Sequence, residues 1–161
     1  MLTHLHEDHV GWAVTPDGVP MFPNARYVLQ RQEFDSLPVS HATWQYVVRP
    51  LRAAGHLALV DGEHRLARLG AGGTLALVPT PGHTPGHQSV LAEADQVRLL
   101  ITGDVLVHAV QLINPEVGYR FEADQDLARR TRHSVLARAR RDGAVLATAH
   151  TTQAFLTLPR A

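Results

Sequence analysis

The stretch Thr3–Gly11, THLHEDHVG, puts His4, His6, Glu7, Asp8 and His9 into six positions. In an extended segment, side chains two apart share a face. His4 and His6 can therefore address one point from the end of a strand. Asp8 and His9 follow at once, across a turn into a helix, and can project to a second point beside the first. Four nitrogen and oxygen donors this close together are a metal-binding pattern, and one short segment can serve two ions.

The remaining ligands of such a site are expected at other strand ends. TPGHTPGH, residues 80–87, offers His83 between two Pro-Gly steps. There Gly82 and Gly86 permit tight turns, and Pro81 and Pro85 stiffen them. The apolar run VRLLIT, residues 97–102, leads straight into Gly103-Asp104, and AVLATAH, residues 144–150, ends on His150. A carboxylate or imidazole at the exit of a buried strand packs poorly and binds metal well. A donor set of imidazole and carboxylate suits Zn, Mn, Fe or Co, and imidazole-rich sites favour zinc. Two such ions about 3.5–4 Å apart can share a hydroxide, the pKa of the bound water falling from 15.7 toward about 7. That yields a nucleophile at neutral pH without serine or cysteine.

These residues resemble the ligand signature of the metallo-β-lactamase-fold hydrolases, HxHxDH followed in order by His, Asp and His, and the resemblance runs from Thr3 to His150. It implies an α/β fold, a metallo-β-lactamase-like αββα sandwich, incomplete in its first half because only Met1, Leu2 and Thr3 precede His4. It also implies that His4, His6 and His83 hold one metal, that Asp8, His9 and His150 hold the other, and that Asp104 bridges them. The implied cofactors are two divalent metal ions, with Zn2+ the best match, and the implied reaction is hydrolysis by the hydroxide they share. Asp8 is a candidate to shuttle the proton of that hydroxide. His108, four residues past Asp104, is a candidate donor to the substrate oxygen or leaving group. His87 closes the second Pro-Gly-His unit and is expected either to orient that loop or to be structural.

Within this superfamily, HEDHVGW followed by FPNARYVLQRQEF, and later GDVLVHAVQLINPE, resembles the lactonase and methyl-parathion-hydrolase branch. True β-lactamases lack the bridging Asp, and several use a cysteine that this chain does not have. Homoserine-lactone lactonases place a tyrosine three residues past that Asp, where this chain has Val107. The expectation is therefore a hydrolase of an ester, lactone or related bond in a small-molecule substrate. A glyoxalase II-like thioester hydrolase is one alternative. The other is a truncated remnant that binds metal without catalysis, the expectation if the chain is complete as it stands; the short lead before His4 otherwise points to a fragment or a misplaced start codon. A sheet without its leading strand would expose an edge, which makes a homo-oligomer a further expectation.

Composition sets the outer bounds. The 161 residues fit one domain, 1–161, and 45% are hydrophobic, as in ordinary globular proteins. Lys plus Arg and Asp plus Glu both total 15, so no net field selects nucleic acid or a membrane surface. Cysteine is absent, and no apolar run approaches the roughly 20 residues that span a bilayer. A cytoplasmic protein is expected. Strands are predicted at 26–30, 57–60, 74–79, 89–92, 97–102 and 144–149, and helices at 32–37, 43–54 and 126–141. The last helix should bury Leu127, Thr131, Val135 and Ala139. Its arginines, Arg129, Arg130, Arg132, Arg138, Arg140 and Arg141, read as a solvated face. His41, His56, His64 and His133 read as exposed or locally hydrogen-bonded.

Overall fold

Two units, Met1–Asp61 and Gly62–Ala161, make up the computed structural model, which describes residues 1–70 and 72–159. In the first, Glu7–Val10 forms a one-turn helix (α1), followed by strand β1, Tyr27–Gln30, and helix α2, Arg31–Ser36. A π-helical turn, Trp44–Val48, then runs into helix α3, Arg49–Ala53, and strand β2, Leu57–Val60. β1 and β2 pair in parallel from Tyr27 opposite Leu57 to Gln30 opposite Val60. Parallel neighbours need a long crossover, which the helical segment supplies. The core gathers Leu2, Leu5, Val10, Tyr27, Leu29, Val47, Val48 and Leu51.

The single helix predicted over 43–54 is interrupted, and Pro50 explains why. A proline inside a helix removes one N–H and its ring crowds the carbonyl four residues back. The chain answers by widening the preceding turn, so that the Arg49 N–H donates to the Trp44 carbonyl. The apolar face survives, with Val47, Val48 and Leu51 buried and Trp44 half-buried.

The His4–His6 segment was expected at the end of a strand, but residues 1–6 lie in none of the described strands. It is anchored by other means. The Leu2 N–H donates to the Val28 carbonyl of β1. The Leu5 N–H donates to the buried Glu33 carboxylate of α2 at 2.9 Å. Leu2 and Leu5, which flank His4 in the chain, are both buried in the core.

The second unit is a six-stranded sheet. Its strands are β3, His64–Leu69; β4, Gly73–Pro79; β5, Gln88–Ala94; β6, Val97–Gly103; β7, Val145–Thr148; and β8, Phe155–Thr157, in that spatial order. All neighbours are antiparallel except β6 and β7, which are parallel. Between those two come a short helix α4, Val110–Ile113, and the long helix α5, Gln125–Asp142. Two antiparallel steps make β4 run the same way as β6, and β7 does too. Their C-terminal ends therefore lie along one edge of the sheet, and the segments leaving that edge carry His83, Asp104 and His150.

α5 has both ends capped. The Asp124 carboxylate accepts from the Leu127 N–H at 2.9 Å, and Gly143 closes the helix in the left-handed region at φ 62°. Its buried stripe is Ala128, Arg132, Val135, Leu136 and Ala139, packed over Leu91, Leu100, Leu106 and Leu146. The expected stripe is thus rotated by about one residue, with Leu127 and Thr131 only half-buried. Leu136→Ala should destabilise the protein by about 2–5 kcal/mol, because the site is fully enclosed and a cavity would remain. Urea denaturation measures this, and a loss well below that range would mean that the site collapses around the smaller side chain.

Arg132 departs from the solvated reading given to the arginines of this helix. It is 1% exposed and donates from Nε to the Val105 carbonyl at 3.1 Å and from Nη1 to the Pro115 carbonyl at 2.8 Å. Its Nη2 meets the equally buried Glu122 carboxylate. Glu122 in turn accepts from the Tyr119 N–H at 3.0 Å. One buried guanidinium thus ties down the irregular stretch that follows Asp104.

Candidate functional site

Each unit carries its own group of the ligands expected from the sequence. In the first, α1 starts immediately after His6, whose backbone is extended at φ −70°, ψ 151°. The ring centroids of His4 and His6 lie 4.6 Å apart, and those of His4 and His9 lie 4.2 Å apart. His4 is fully buried, with the Thr3 hydroxyl 3.2 Å from its Nδ1. A polar contact at one ring nitrogen is how a metal-binding imidazole is usually oriented. The Asp8 carboxylate stands 3.5 Å from the His9 Nε2. The structure therefore gathers His4, His6, Asp8 and His9 into one patch, as the spacing predicts.

Beside that patch α1 borders an open cleft of about 620 Å³, lined by Val10, Val14, Gln45, Tyr46, Val47 and Pro50. The π-helical turn supplies one wall of the cleft. Exposed Tyr46 stands on it, a feature that no sequence signal announced.

In the second unit, Asp104 is buried and its carboxylate is shared. Its Oδ2 lies 3.1 Å from the His83 Nε2, and its Oδ1 lies 3.2 Å from the His150 Nε2. Two donors on one tetrahedral ion, with bonds of about 2.0–2.1 Å, stand roughly 3.3–3.4 Å apart. The two oxygens thus face two different imidazoles at spacings that fit metal ligation. This is the arrangement a bridging carboxylate needs, and the nitrogen and oxygen donors suit a divalent ion of zinc type.

His83 is held from two directions. Its carbonyl accepts from the Ala123 N–H, and the Gly82 carbonyl accepts from the Asp124 N–H, both at 3.0 Å, so the loop is zipped to the start of α5. Gly82 adopts φ 129°, and a Cβ there would stand 2.3 Å from the Ala128 nitrogen. Only glycine allows this close approach. Tyr119 lies flat beside the His83 ring, with centroids 6.0 Å apart and planes 17° apart. It sits on the stretch that Arg132 and Glu122 clamp. Nothing in the local sequence pattern singles out Tyr119, Glu122 or Arg132, because their roles arise only from contacts distant in the chain.

The other histidines divide as follows. His108 is exposed, and its Nδ1 accepts from the Val110 N–H at 3.1 Å, which leaves Nε2 as the proton-bearing nitrogen of the neutral ring. Buried Gln111 shapes the turn around it, accepting from the Val107 and His108 N–H groups and donating to the Val117 carbonyl. His41 accepts from the nearby Thr43 N–H, and His64 is exposed on β3. Half-buried His56 departs from the expectation, its Nδ1 lying 2.8 Å from the Ala25 carbonyl far back in the chain. His133 pairs with Glu116 at 2.5 Å, and that hydrogen bond, ahead of the nearby Arg129 charge, holds the Glu116 carboxyl below its ordinary pKa. His87 is fully buried in the sheet edge beneath Asp104.

Comparison with known proteins follows the same lines. Residues 1–150 match the profile of the Metallo-beta-lactamase superfamily. N-acyl homoserine lactonase AttM of Rhizobium radiobacter is 33% identical over 107 residues, which is 63% of this chain and 38% of that protein. Among solved structures, the hydrolase AbOPH in the beta lactamase superfamily aligns at a TM-score of 0.81 and 24% identity, covering 99% of this chain and 59% of that one. AidC, a dizinc quorum-quenching lactonase in complex with a product, aligns at 0.71 and 19% identity, covering 99% of this chain and 63% of that one. At these identities the structures speak for a shared fold. The chain spans about a third of the length of the curated relatives it matches. Among the described residues, no helix is long and apolar enough to cross a membrane.

Proposed function

The chain belongs to the metallo-β-lactamase superfamily, and from that premise we propose that it is a metal-dependent hydrolase of an ester, lactone or related bond in a small molecule. The observation that carries this reading is the Asp104 carboxylate, with one oxygen turned to His83 and the other to His150. His4, His6 and His83 would hold one divalent ion, and Asp8, His9 and His150 a second. Asp104 would be common to both, so that residues 1–161 work as one catalytic domain. The assignment across the two units follows the family's ligand order. Zinc is the proposed metal, on the strength of five imidazoles in the donor set.

Bound there, the ions would supply a water acidified toward neutral pH and Lewis acidity for the carbonyl under attack. The protein's own groups do the rest. The Asp8 carboxylate accepts a proton when the nucleophilic water is used. His108 can donate from Nε2 to the departing oxygen, because its Nδ1 is occupied by the Val110 N–H. The cleft beside α1, lined by apolar Val10, Val14 and Val47 and by polar Asp17, Gln45 and Arg49, suits the non-reacting part of a small substrate. The relatives named as N-acyl homoserine lactonases make lactones the first substrates to try. Val107 stands where such lactonases carry tyrosine, which favours a broader ester and lactone range over a strict signal lactonase. A cysteine-free chain with balanced charge suits work in the cytoplasm.

The test is chelation followed by return of Zn2+, Mn2+ or Co2+ during turnover of a panel of lactones, aryl esters, thioesters and phosphotriesters. Lactone or ester hydrolysis that disappears with chelator and returns with metal is expected. Thioester-selective turnover would move the protein to the glyoxalase-like alternative. Metal binding with no turnover of any member would replace the enzyme by a binding remnant.

A further inference from the structure

Beneath His83 and Asp104 lies a row of buried polar groups, none of which is a proposed ligand. The Asp104 N–H donates to the His87 Nε2 at 3.0 Å. A backbone amide can only donate, so Nε2 must be the bare nitrogen of the ring and Nδ1 must carry the proton. Nδ1 lies 3.0 Å from the Thr80 carbonyl and 2.9 Å from the Thr80 hydroxyl. The Thr80 hydroxyl lies 2.9 Å from the Ser89 hydroxyl, which itself donates to the Thr102 carbonyl at 3.1 Å. Since the Ser89 proton goes to Thr102, the Thr80 proton must go to Ser89. Every hydrogen in the row is then assigned, and each bond points the same way, from Asp104 through His87, Thr80 and Ser89 to Thr102. Thr80, His87, Ser89 and Thr102 are all buried, so the row cannot exchange partners with solvent at low cost.

We infer that His87 is a positioning residue, an acceptor locked in its Nδ1–H form that holds the Asp104 backbone and so sets the angle at which the Asp104 carboxylate meets His83 and His150. The inference rests on the reading of Asp104 as a shared metal ligand. It differs from a packing role in one respect: only the Nε2 end of the ring touches Asp104, while the Nδ1 end serves Thr80. The two ends can be removed one at a time. In His87→Gln, the side-chain oxygen reaches the position of Nε2 and still accepts from Asp104. In His87→Asn, the amide reaches the position of Nδ1, keeps the bond to Thr80 and loses the one to Asp104.

The experiment loads the full chain and both variants with Co2+ and records metal affinity, the visible spectrum and the exchange rate of the Asp104 amide hydrogen. His87→Gln should stay within about threefold of the parent affinity and keep its spectrum. His87→Asn should lose about 10- to 100-fold in affinity, with an altered spectrum and faster Asp104 exchange, as for lost outer partners of metal ligands. Equal effects in both variants, or a larger one in His87→Gln, would overturn the inference. Should either variant fail to fold, 15N NMR of the parent protein decides instead, because a proton on the His87 Nε2 contradicts the assignment outright. A parent protein that binds no Co2+ would defeat the ligand reading, whereas the tautomer and the Asp104 exchange rate would still judge His87.

Discussion

Asp104→Asn should lower metal affinity by more than the 10- to 100-fold typical of an outer partner, because it removes a first ligand. Hydrolysis should fall at least about as far, by 100-fold or more. The reason is geometric. An aspartate presents two equivalent oxygens, and here one faces His83 and the other His150. Asparagine keeps the size and one oxygen but turns an amide nitrogen, which is a donor, toward one of the two imidazoles. The variant should therefore retain its fold and lose the sharing of a ligand between two ions. Elemental analysis of the dialysed variant reads the first effect, and ester or lactone turnover reads the second. Full turnover at the parent's metal content would remove Asp104 from the bridge.

The second large effect falls on stability. Arg132→Met should cost about 3–5 kcal/mol, the penalty for leaving one partner of a buried ion pair uncompensated. Glu122 would keep its charge with 1% of its side chain exposed, and the Val105 and Pro115 carbonyls would lose their donor. Against a total stability of about 5–15 kcal/mol, this is a large fraction. Adding Glu122→Gln to the same chain should recover much of the loss. The amide no longer brings a buried charge and still offers an oxygen to the Tyr119 N–H. Urea denaturation of the single and double variants measures the difference. A single-variant loss below about 1 kcal/mol would mean that water reaches Glu122.

Asp104 and Arg132 differ in how far residue type and spacing alone reveal them. Asp104 was legible because an apolar strand of six residues ran directly into a carboxylate, and position on a strand exit is a local property. His150 was legible for the same reason and His83 from its place between two Pro-Gly steps beyond a strand, and the strands that precede them end on one edge of the sheet. Strand β2 and the centre of α5 fell where apolar periodicity put them.

Arg132 was not legible. An arginine among five others on an amphipathic helix looks solvated until its partner is known, and Glu122 reaches it only through an irregular stretch. Strand β3 was missed because HRLARL is mostly exposed, as an edge strand with one neighbour can be. The π-helical turn was not legible because the spacing of Trp44, Val47, Val48 and Leu51 fits one continuous helix, whereas Pro50 changes the hydrogen-bond register before it. Contacts near in sequence were readable from residue type and spacing. Those decided by a distant partner were not.

The proposed site is a set of seven residues, His4, His6, Asp8, His9, His83, Asp104 and His150, that would hold two divalent ions and make this chain a hydrolase. Its most direct test is the metal content of the purified chain after equilibration with Zn2+ and removal of excess. Two tightly held ions per chain are expected, with loss of at least one when Asp104 is replaced. A chain that retains no Zn2+ under these conditions, or one whose ions are unaffected by replacing Asp104, would contradict the account.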